Sequence, residues 1–205
     1  MSVPSPQPAT PSGPEGAGGA MVCGAEVSDC GHYRWWLRRC WQPRRPELLF
    51  IGLNPSRADA ERDDPTLRRL LGFARRWGHG SLTVVNLFAR ISPSPVALRR
   101  CADPVGAAND RWIRQALADV LAAQAGPVGT VGGAGPAIWL GWGNGGRWRG
   151  RQDAVLDGLR PWGVEGQLGC LGLTAGGQPR HPLYAPGDAV LKPFVVARLQ
   201  PAAAS

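Results

Sequence analysis

The chain has 205 residues, of which 43% are hydrophobic, and a formal net charge of +8. This length and apolar content allow one domain with a substantial core, and no apolar run approaches the length of a membrane span. The five cysteines are odd in number and include no C-x-x-C pair, which argues against a disulfide framework and against clustered-thiolate zinc or iron–sulfur sites. We therefore expect a monomeric cytoplasmic protein without metal or cofactor and without a membrane partner.

The positive charge favours a polyanionic partner, and nucleic acid is the usual one. Lys192 is the only lysine among 23 basic residues, and glycine and alanine are abundant. A GC-rich genome would produce the same bias, so charge alone does not establish DNA binding.

Both chain ends differ in composition from the middle. Residues 1–20, MSVPSPQPATPSGPEGAGGA, lack a basic start and an apolar core, so they predict a disordered tail rather than a signal peptide or an anchor. Met21 follows at once and is an alternative start of translation. We expect one α/β domain over residues 21–197 and a flexible C-terminus over residues 198–205.

The first predicted element is HYRWWLRRCW, residues 32–41, which mixes aromatic side chains with arginines and indicates a hairpin or an edge strand. Residues 48–51, LLFI, are typical of a strand buried on both faces of a parallel sheet. Asp64-Pro65 is a helix start signal, with Asp at the cap and Pro at the first helical position. The next apolar residues recur at helical spacing until Gly78, namely Leu67, Leu70, Leu71, Ala74 and Trp77.

The remaining elements alternate between strand and helix. Residues 81–88, 137–143 and 167–174 predict three more buried strands, Ser94-Pro95 opens a short helix, and helices are predicted over residues 105–124 and 152–159. Alternating strands and helices predict an α/β fold with right-handed crossovers. The expected architecture is a three-layer sandwich around a central, mostly parallel four-stranded sheet, with the N-terminal hairpin or edge strand added to it.

Polar residues follow the predicted strands at their carboxyl ends. They are Asn54, Asn86, Asn144 in the Gly-Trp-Gly-Asn segment, and, after a loop, His181. Ligands of open α/β sheets bind outside the carboxyl ends of the strands, so these residues are expected on one rim. Turn chemistry explains each residue taken singly, but their convergence predicts a functional site.

The order of these motifs resembles a known family. LLFIGLNPSRADAERDDPTLRRLLGFARRWG, VVNLF, AIWLGWG, CLGLTAGGQPRHPLY and LKPF, between Cys23 and Phe194, resemble short bacterial and phage proteins classed only as a domain of unknown function. More remotely, the same segments are similar to the uracil-DNA glycosylase superfamily. Its Gly-x-Asn-Pro motif, found in mismatch-specific enzymes, resembles residues 52–55, and its other motifs resemble residues 84–86, 140–143 and 181–182.

The superfamily resemblance implies roles for individual residues. It implies that Asn54 positions the attacking water, that Asn86 reads the base edge, and that His181 polarises the departing base. Further base contacts are assigned to Gly52, Pro55, Phe88 and Trp142, the last two as candidates for stacking, and contacts with phosphate are assigned to Ser56, Arg57 and Arg180. Leu183-Tyr184 departs from the superfamily, which usually has Ser and a DNA-wedging helix there.

The predicted function is a hydrolase that removes a deaminated or modified base from DNA. The alternatives are a non-catalytic protein that binds a nucleobase, a nucleotide or nucleic acid, and an enzyme that acts on free nucleosides or nucleotides. The side chain of Asn86 could instead form hydrogen bonds with backbone groups at the end of its strand. The acidic residues Asp59, Glu61, Asp63 and Asp64 are better explained by helix capping than by a metal, and TAGGQP lacks the spacing of a phosphate loop.

Overall fold

The computed structural model describes residues 20–56, 59–124 and 135–195. Arg57, the C-terminus predicted to be flexible and all but the last residue of the predicted tail lie outside these ranges. The described residues form a mixed α/β structure, which confirms the predicted class. Within them, no helix is both long and apolar enough to cross a membrane.

The sheet contains seven strands among the described residues, rather than the predicted four with an added hairpin or edge strand, in the order β1-β2-β4-β3-β5-β6-β7. Their bounds are β1 Val22–Val27, β2 Arg34–Cys40, β3 Glu47–Gly52, β4 Ser81–Asn86, β5 Ile138–Leu140, β6 Leu168–Cys170 and β7 Lys192–Pro193. The neighbours β4-β3, β3-β5 and β5-β6 pair in parallel, whereas β1-β2, β2-β4 and β6-β7 are antiparallel. The prediction of a mostly parallel sheet was therefore too narrow, because the N-terminal hairpin joins the sheet through β2 and Lys192–Pro193 adds an edge.

Four α-helices connect the described strands: α1 Pro65–Arg76, α2 Pro95–Arg99, α3 Asn109–Gln124 and α4 Arg151–Leu159. Both predicted start signals are confirmed, since the side chains of Asp64 and Ser94 accept hydrogen bonds from the backbone N–H groups of Leu67 and Ala97. The third helix begins later than predicted. Asp103 accepts hydrogen bonds from the backbone of the two residues that precede Ala107, and this turn postpones the helix to Asn109.

Side chains of β3 alternate between two cores on the two faces of the sheet. Leu48 and Phe50 pack with α1, whereas Leu49 and Ile51 pack with α3 and α4. The sheet therefore lies between two helical layers. All six residues of β3 are buried, as expected for a strand that is covered on both faces.

The carboxyl ends of β3 and β4 lie side by side, with Gly52 in register with Asn86. A Cβ atom at Gly52 would lie 2.8 Å from Asn86 Nδ2 and 2.9 Å from Phe50 Cε1. Glycine is therefore required at this point for packing, and the loop that carries Asn54 is held directly beside Asn86.

Candidate functional site

A cavity of about 790 Å³ lies at the carboxyl end of the parallel strands. Loops that follow β3, β4, β5 and β6 line it and contribute Asn54, Ser92, Asn144 and His181, among others. Its volume falls in the range of cavities that bind small molecules and cofactors. The predicted rim of the sheet is therefore concave and large enough to hold a nucleoside.

The side-chain amide of Asn54 has a fixed orientation. Its Nδ2 donates to the carbonyl oxygens of Pro55 at 3.0 Å and Ser92 at 3.1 Å. Two acceptors at these distances require the NH₂ group on that side of the amide. In the described part of the chain, Asn54 Oδ1 receives no hydrogen bond, so a carbonyl acceptor remains available at the cavity wall.

His181 lines the same cavity and caps a short 3-10 helix, Pro182–Tyr184. Its Nδ1 accepts a hydrogen bond from the backbone N–H of Leu183 at 3.3 Å. Burial lowers the pKa of His181 below its ordinary value, and the nearby charge of Asp64 opposes this only partly. At neutral pH the imidazole is therefore neutral with its proton on Nε2, which makes Nε2 a hydrogen-bond donor.

Next to this cavity, Asp64 connects the loop after β3 with α1. Its Oδ1 caps α1 by accepting from Leu67 N at 2.7 Å, and its Oδ2 accepts a hydrogen bond from the Ser56 hydroxyl. Arg34 of β2 is 4% exposed, and burial lowers its pKa to about 10 although the charge of Asp64 acts in the opposite direction. We call Ser56, Asp64 and Arg34 the Asp64 corner.

A second, much smaller cavity of about 30 Å³ lies at the Asp64 corner. Asn54, Ser56, Thr66 and His181 line both cavities, so the two spaces share a wall. A space of this size holds a water molecule when several polar groups surround it.

Asn86 lines the small cavity but not the large one. It is 4% exposed, and its Oδ1 accepts a hydrogen bond from Arg34 Nη2 at 3.4 Å. Its backbone carbonyl is held by Asn109, whose Nδ2 also donates to Leu87 O. The structure thus places the predicted base reader behind the cavity wall, with its acceptor already occupied.

The two aromatic residues considered for stacking lie in the core. Phe88 is 0% exposed, packs against Trp148 and lines neither of the two cavities. Trp142 is 2% exposed, and its Nε1 donates to Gln178 Oε1 at 2.9 Å. Neither ring offers an open face to a base in this conformation, so these stacking assignments do not fit the structure. Trp142 and Tyr184 both line the large cavity, and of the two it is Tyr184 that is exposed, at 77%.

The predicted base-contact residues of the first motif build the site rather than face the large cavity. Gly52 lies against Asn86, and Pro55 is buried and supplies a carbonyl that Asn54 and the Ser92 backbone use. Their role here is to fix the loop that carries Asn54.

The residues predicted to contact phosphate differ in their placement. Ser56 directs its hydroxyl proton to Asp64, and a neighbouring carboxylate repels phosphate, so this assignment does not fit Ser56. Arg180 lines the large cavity, with Nη2 donating to Leu173 O at 3.2 Å. Arg57 lies outside the described residues. Arg99 of α2 also lines the cavity and was missed, because its helical setting resembles any solvated helix face.

Within the described residues, no group of three or more His, Cys, Asp or Glu side chains could hold a metal ion. The acidic segment before α1 has other partners instead. Asp59 accepts hydrogen bonds from the backbone of Glu61 and Arg62, Asp63 pairs with Arg39, and Asp64 caps the helix.

Residues 34–183 match the model of a family described as protein of unknown function (DUF1643). The chain belongs to this family. No curated protein and no solved structure matches the chain. The part of this DUF1643 protein that matches the family contains Arg34, Asn54, Ser56, Asp64 and His181, and so includes the residues of both cavity walls discussed above. Tyr184 lies one residue beyond the match.

Proposed function

We propose that this DUF1643 protein hydrolyses the N-glycosidic bond between a nucleobase and its sugar, with a deaminated or modified base in DNA as substrate. The observation that carries the proposal is the fixed amide of Asn54. Two backbone carbonyls hold its NH₂ group, so its free oxygen can accept a hydrogen bond from a water molecule at the cavity wall.

His181 supplies the complementary group for the departing base. The bond breaks through an oxocarbenium-like state in which negative charge develops on the base. A neutral imidazole with its proton on Nε2 can donate a hydrogen bond to a base carbonyl where that charge appears. Asn54 and His181 line one cavity, so one substrate can contact both.

Recognition of the base edge needs a group other than Asn86 in this conformation. Asn144 lines the large cavity, and its Oδ1 accepts a hydrogen bond from Thr174 Oγ1 at 2.5 Å. That contact leaves the two Nδ2 protons of Asn144 available as donors to a base carbonyl or ring nitrogen. Arg99 and Arg180 in the same lining would place positive charge beside a phosphate.

Two alternatives are each favoured by a particular observation. The amide of Asn54 cannot accept a proton, which favours a protein that binds a nucleobase without cutting it. A cavity of about 790 Å³ also suits a free nucleoside or nucleotide. Salt separates the second alternative from DNA binding, since affinity through several phosphates falls steeply as salt rises.

The test is strand cleavage by alkali after incubation with labelled single-stranded and mismatched duplex oligonucleotides that contain uracil, hypoxanthine or 5-hydroxymethyluracil. Wild type should form abasic product from at least one base. Asn54→Ala should bind the same oligonucleotide without forming product, and His181→Gln should lower the rate about a hundred- to a thousandfold. His32→Gln is the matched control, because His32 is exposed and lines neither of the two cavities. Binding by wild type without product from any substrate would favour the non-catalytic alternative.

A further inference from the structure

We propose that Ser56 and Asp64 form a proton relay that deprotonates the water held by Asn54. The inference rests on the proposed hydrolysis and supplies what the Asn54 amide lacks, namely an acceptor for a proton. From the sequence, helix capping was the role assigned to Asp64. The geometry assigns it a second role, because its other oxygen contacts a residue of the cavity wall.

The first observation is the direction of the hydrogen bond between Ser56 and Asp64. An ionised carboxylate only accepts, so the Ser56 hydroxyl donates its proton to Asp64 Oδ2. The two lone pairs of Ser56 Oγ then remain to accept a hydrogen bond from water. Ser56 lines both the large and the small cavity, as Asn54 does.

The second observation is the small cavity itself. Its volume of about 30 Å³ suits a single water molecule, and its polar lining includes Asn54, Ser56, Asp64 and His181. Asn86 contributes a further group: it is 4% exposed, and its Nδ2 finds no acceptor in the part of the chain that the structure describes. This Nδ2 group can donate a hydrogen bond to a water molecule in the small cavity.

The proposed step conserves atoms and charge. The water oxygen bonds to the anomeric carbon, and the electron pair of the C–N bond leaves with the base. One water proton passes to Ser56 Oγ while the Ser56 proton passes to Asp64 Oδ2. The products are the sugar with a hydroxyl group, the base anion with its hydrogen bond from His181, and a protonated Asp64. The base then takes up one proton, and Asp64 returns its proton to solvent.

A carboxylate next to an arginine can still serve this step. The oxygen that has just attacked an oxocarbenium carbon is a strong acid while it carries both protons, so a weak base removes one readily. Before attack, the negative charge of Asp64 favours the cationic sugar. Arg34 and His181 are the titratable groups whose pKa the charge of Asp64 raises, against the larger effect of burial, and Arg34 also donates a hydrogen bond to Asn86.

The test uses single-turnover rates of the full chain with the oligonucleotide that wild type cleaves. Asp64→Asn keeps a capping side chain, since Asn caps helices as well as Asp, but it cannot take a proton. We expect Asp64→Asn and Ser56→Ala to lower the rate about 100-fold each, with unchanged oligonucleotide affinity. Ser56→Thr keeps the hydroxyl and should restore most of the rate. Asp59→Asn is the matched control, because within the described residues the Asp59 carboxylate accepts hydrogen bonds from the backbone N–H groups of Glu61 and Arg62 and lines neither cavity.

The pH profile separates a proton acceptor from a structural residue. In wild type the rate should fall on acidification, and this fall should be absent in Asp64→Asn. A rate for Asp64→Asn equal to that of Asp59→Asn, or the same acid fall in both Asp64→Asn and wild type, would overturn the relay and leave the proposed hydrolysis intact. Absence of product from wild type with every substrate would overturn both the relay and the proposed hydrolysis. A binding measurement would then show whether the protein holds the oligonucleotide without cutting it.

Discussion

Asp63 and Asp64 are neighbours in the sequence but belong to two regions of different character. Asp63 Oδ1 accepts two hydrogen bonds from Arg39, from Nε at 3.0 Å and from Nη2 at 2.8 Å. Arg39 is 1% exposed and also donates to the carbonyl oxygens of Arg38 and Asp59. Within the described residues, this Arg39–Asp63 clamp faces no part of either cavity, and it fastens the loop before α1 to β2.

The Asp64 corner has similar components but a different arrangement. It also combines a buried arginine of β2 with an aspartate that precedes α1. Here, however, Ser56, Asn86 and Asn54 keep hydrogen-bonding capacity toward the two cavities. The comparison indicates that the Arg39–Asp63 ion pair serves stability, whereas the groups of the Asp64 corner are arranged around a space that a reactant can enter.

The largest expected effect is the loss of stability when the Arg39–Asp63 clamp is broken. Asp63→Ala leaves a buried guanidinium without its carboxylate, and breaking such a pair typically costs about 3–5 kcal/mol. Because Arg39 keeps two carbonyl partners, we expect a loss near 3 kcal/mol in the free energy of unfolding. Urea unfolding measures it. Asp157→Ala removes an exposed pair with Arg160 and should change stability little; equal losses in both variants would show that the clamp is no stronger than a surface pair.

A smaller loss of stability is expected from a substitution that disturbs the Asp64 corner and leaves the clamp intact. Gly52→Ala places a Cβ atom 2.8 Å from Asn86 Nδ2, and overpacking of this kind costs about 1–3 kcal/mol. It should also reduce product formation, because Asn86 and the loop of Asn54 must shift.

Gly72→Ala is the matched control for that variant. Gly72 is exposed in α1, and apart from the helix's own backbone no atom of the described residues lies within 4 Å of a Cβ at this position. The substitution should therefore stabilise the protein by about 0.5–1 kcal/mol through helix propensity. If both variants behave alike, the close packing at Gly52 does not govern the site.

Local signals in the sequence predicted the start of the first two helices, the buried strands and the rim of the sheet where the large cavity lies. Asp64-Pro65 and Ser94-Pro95 carry their capping information within three residues, and the structure uses both. The loops with Asn54, Asn144 and His181 also come together as the alternation of strands and helices predicts, and they line one cavity.

Pairings between distant segments explain what the sequence did not predict. Arg34 reaches Asn86 because β2 pairs with β4, and no local pattern encodes that neighbour. Trp142 is turned into the core, where its indole N–H meets Gln178, which is 36 positions further along the chain. Asn54 lines the large cavity, but the orientation of its amide depends on Ser92 O, a contact that only the folded chain provides.

The smallest expected effect is on the pH dependence of stability, which His181 at the cavity wall should influence and the clamp should not. Burial lowers the pKa of His181 below 6.5, its value in an unfolded chain, whereas the clamp contains no histidine. The unfolded state therefore binds more protons just below pH 6.5, so the contribution of neutral His181 is complete above that pH and is lost as the pH falls through it. His79 is shifted in the same direction by burial, so wild type should lose stability between pH 7 and pH 5 from both groups. His181→Gln should lose less over this interval, by urea unfolding, and Asp63→Ala should show the same pH dependence as wild type. An unchanged pH dependence in His181→Gln would mean that the imidazole is solvated rather than held neutral at the cavity wall, and the donor proposed for the departing base would then lack its physical basis.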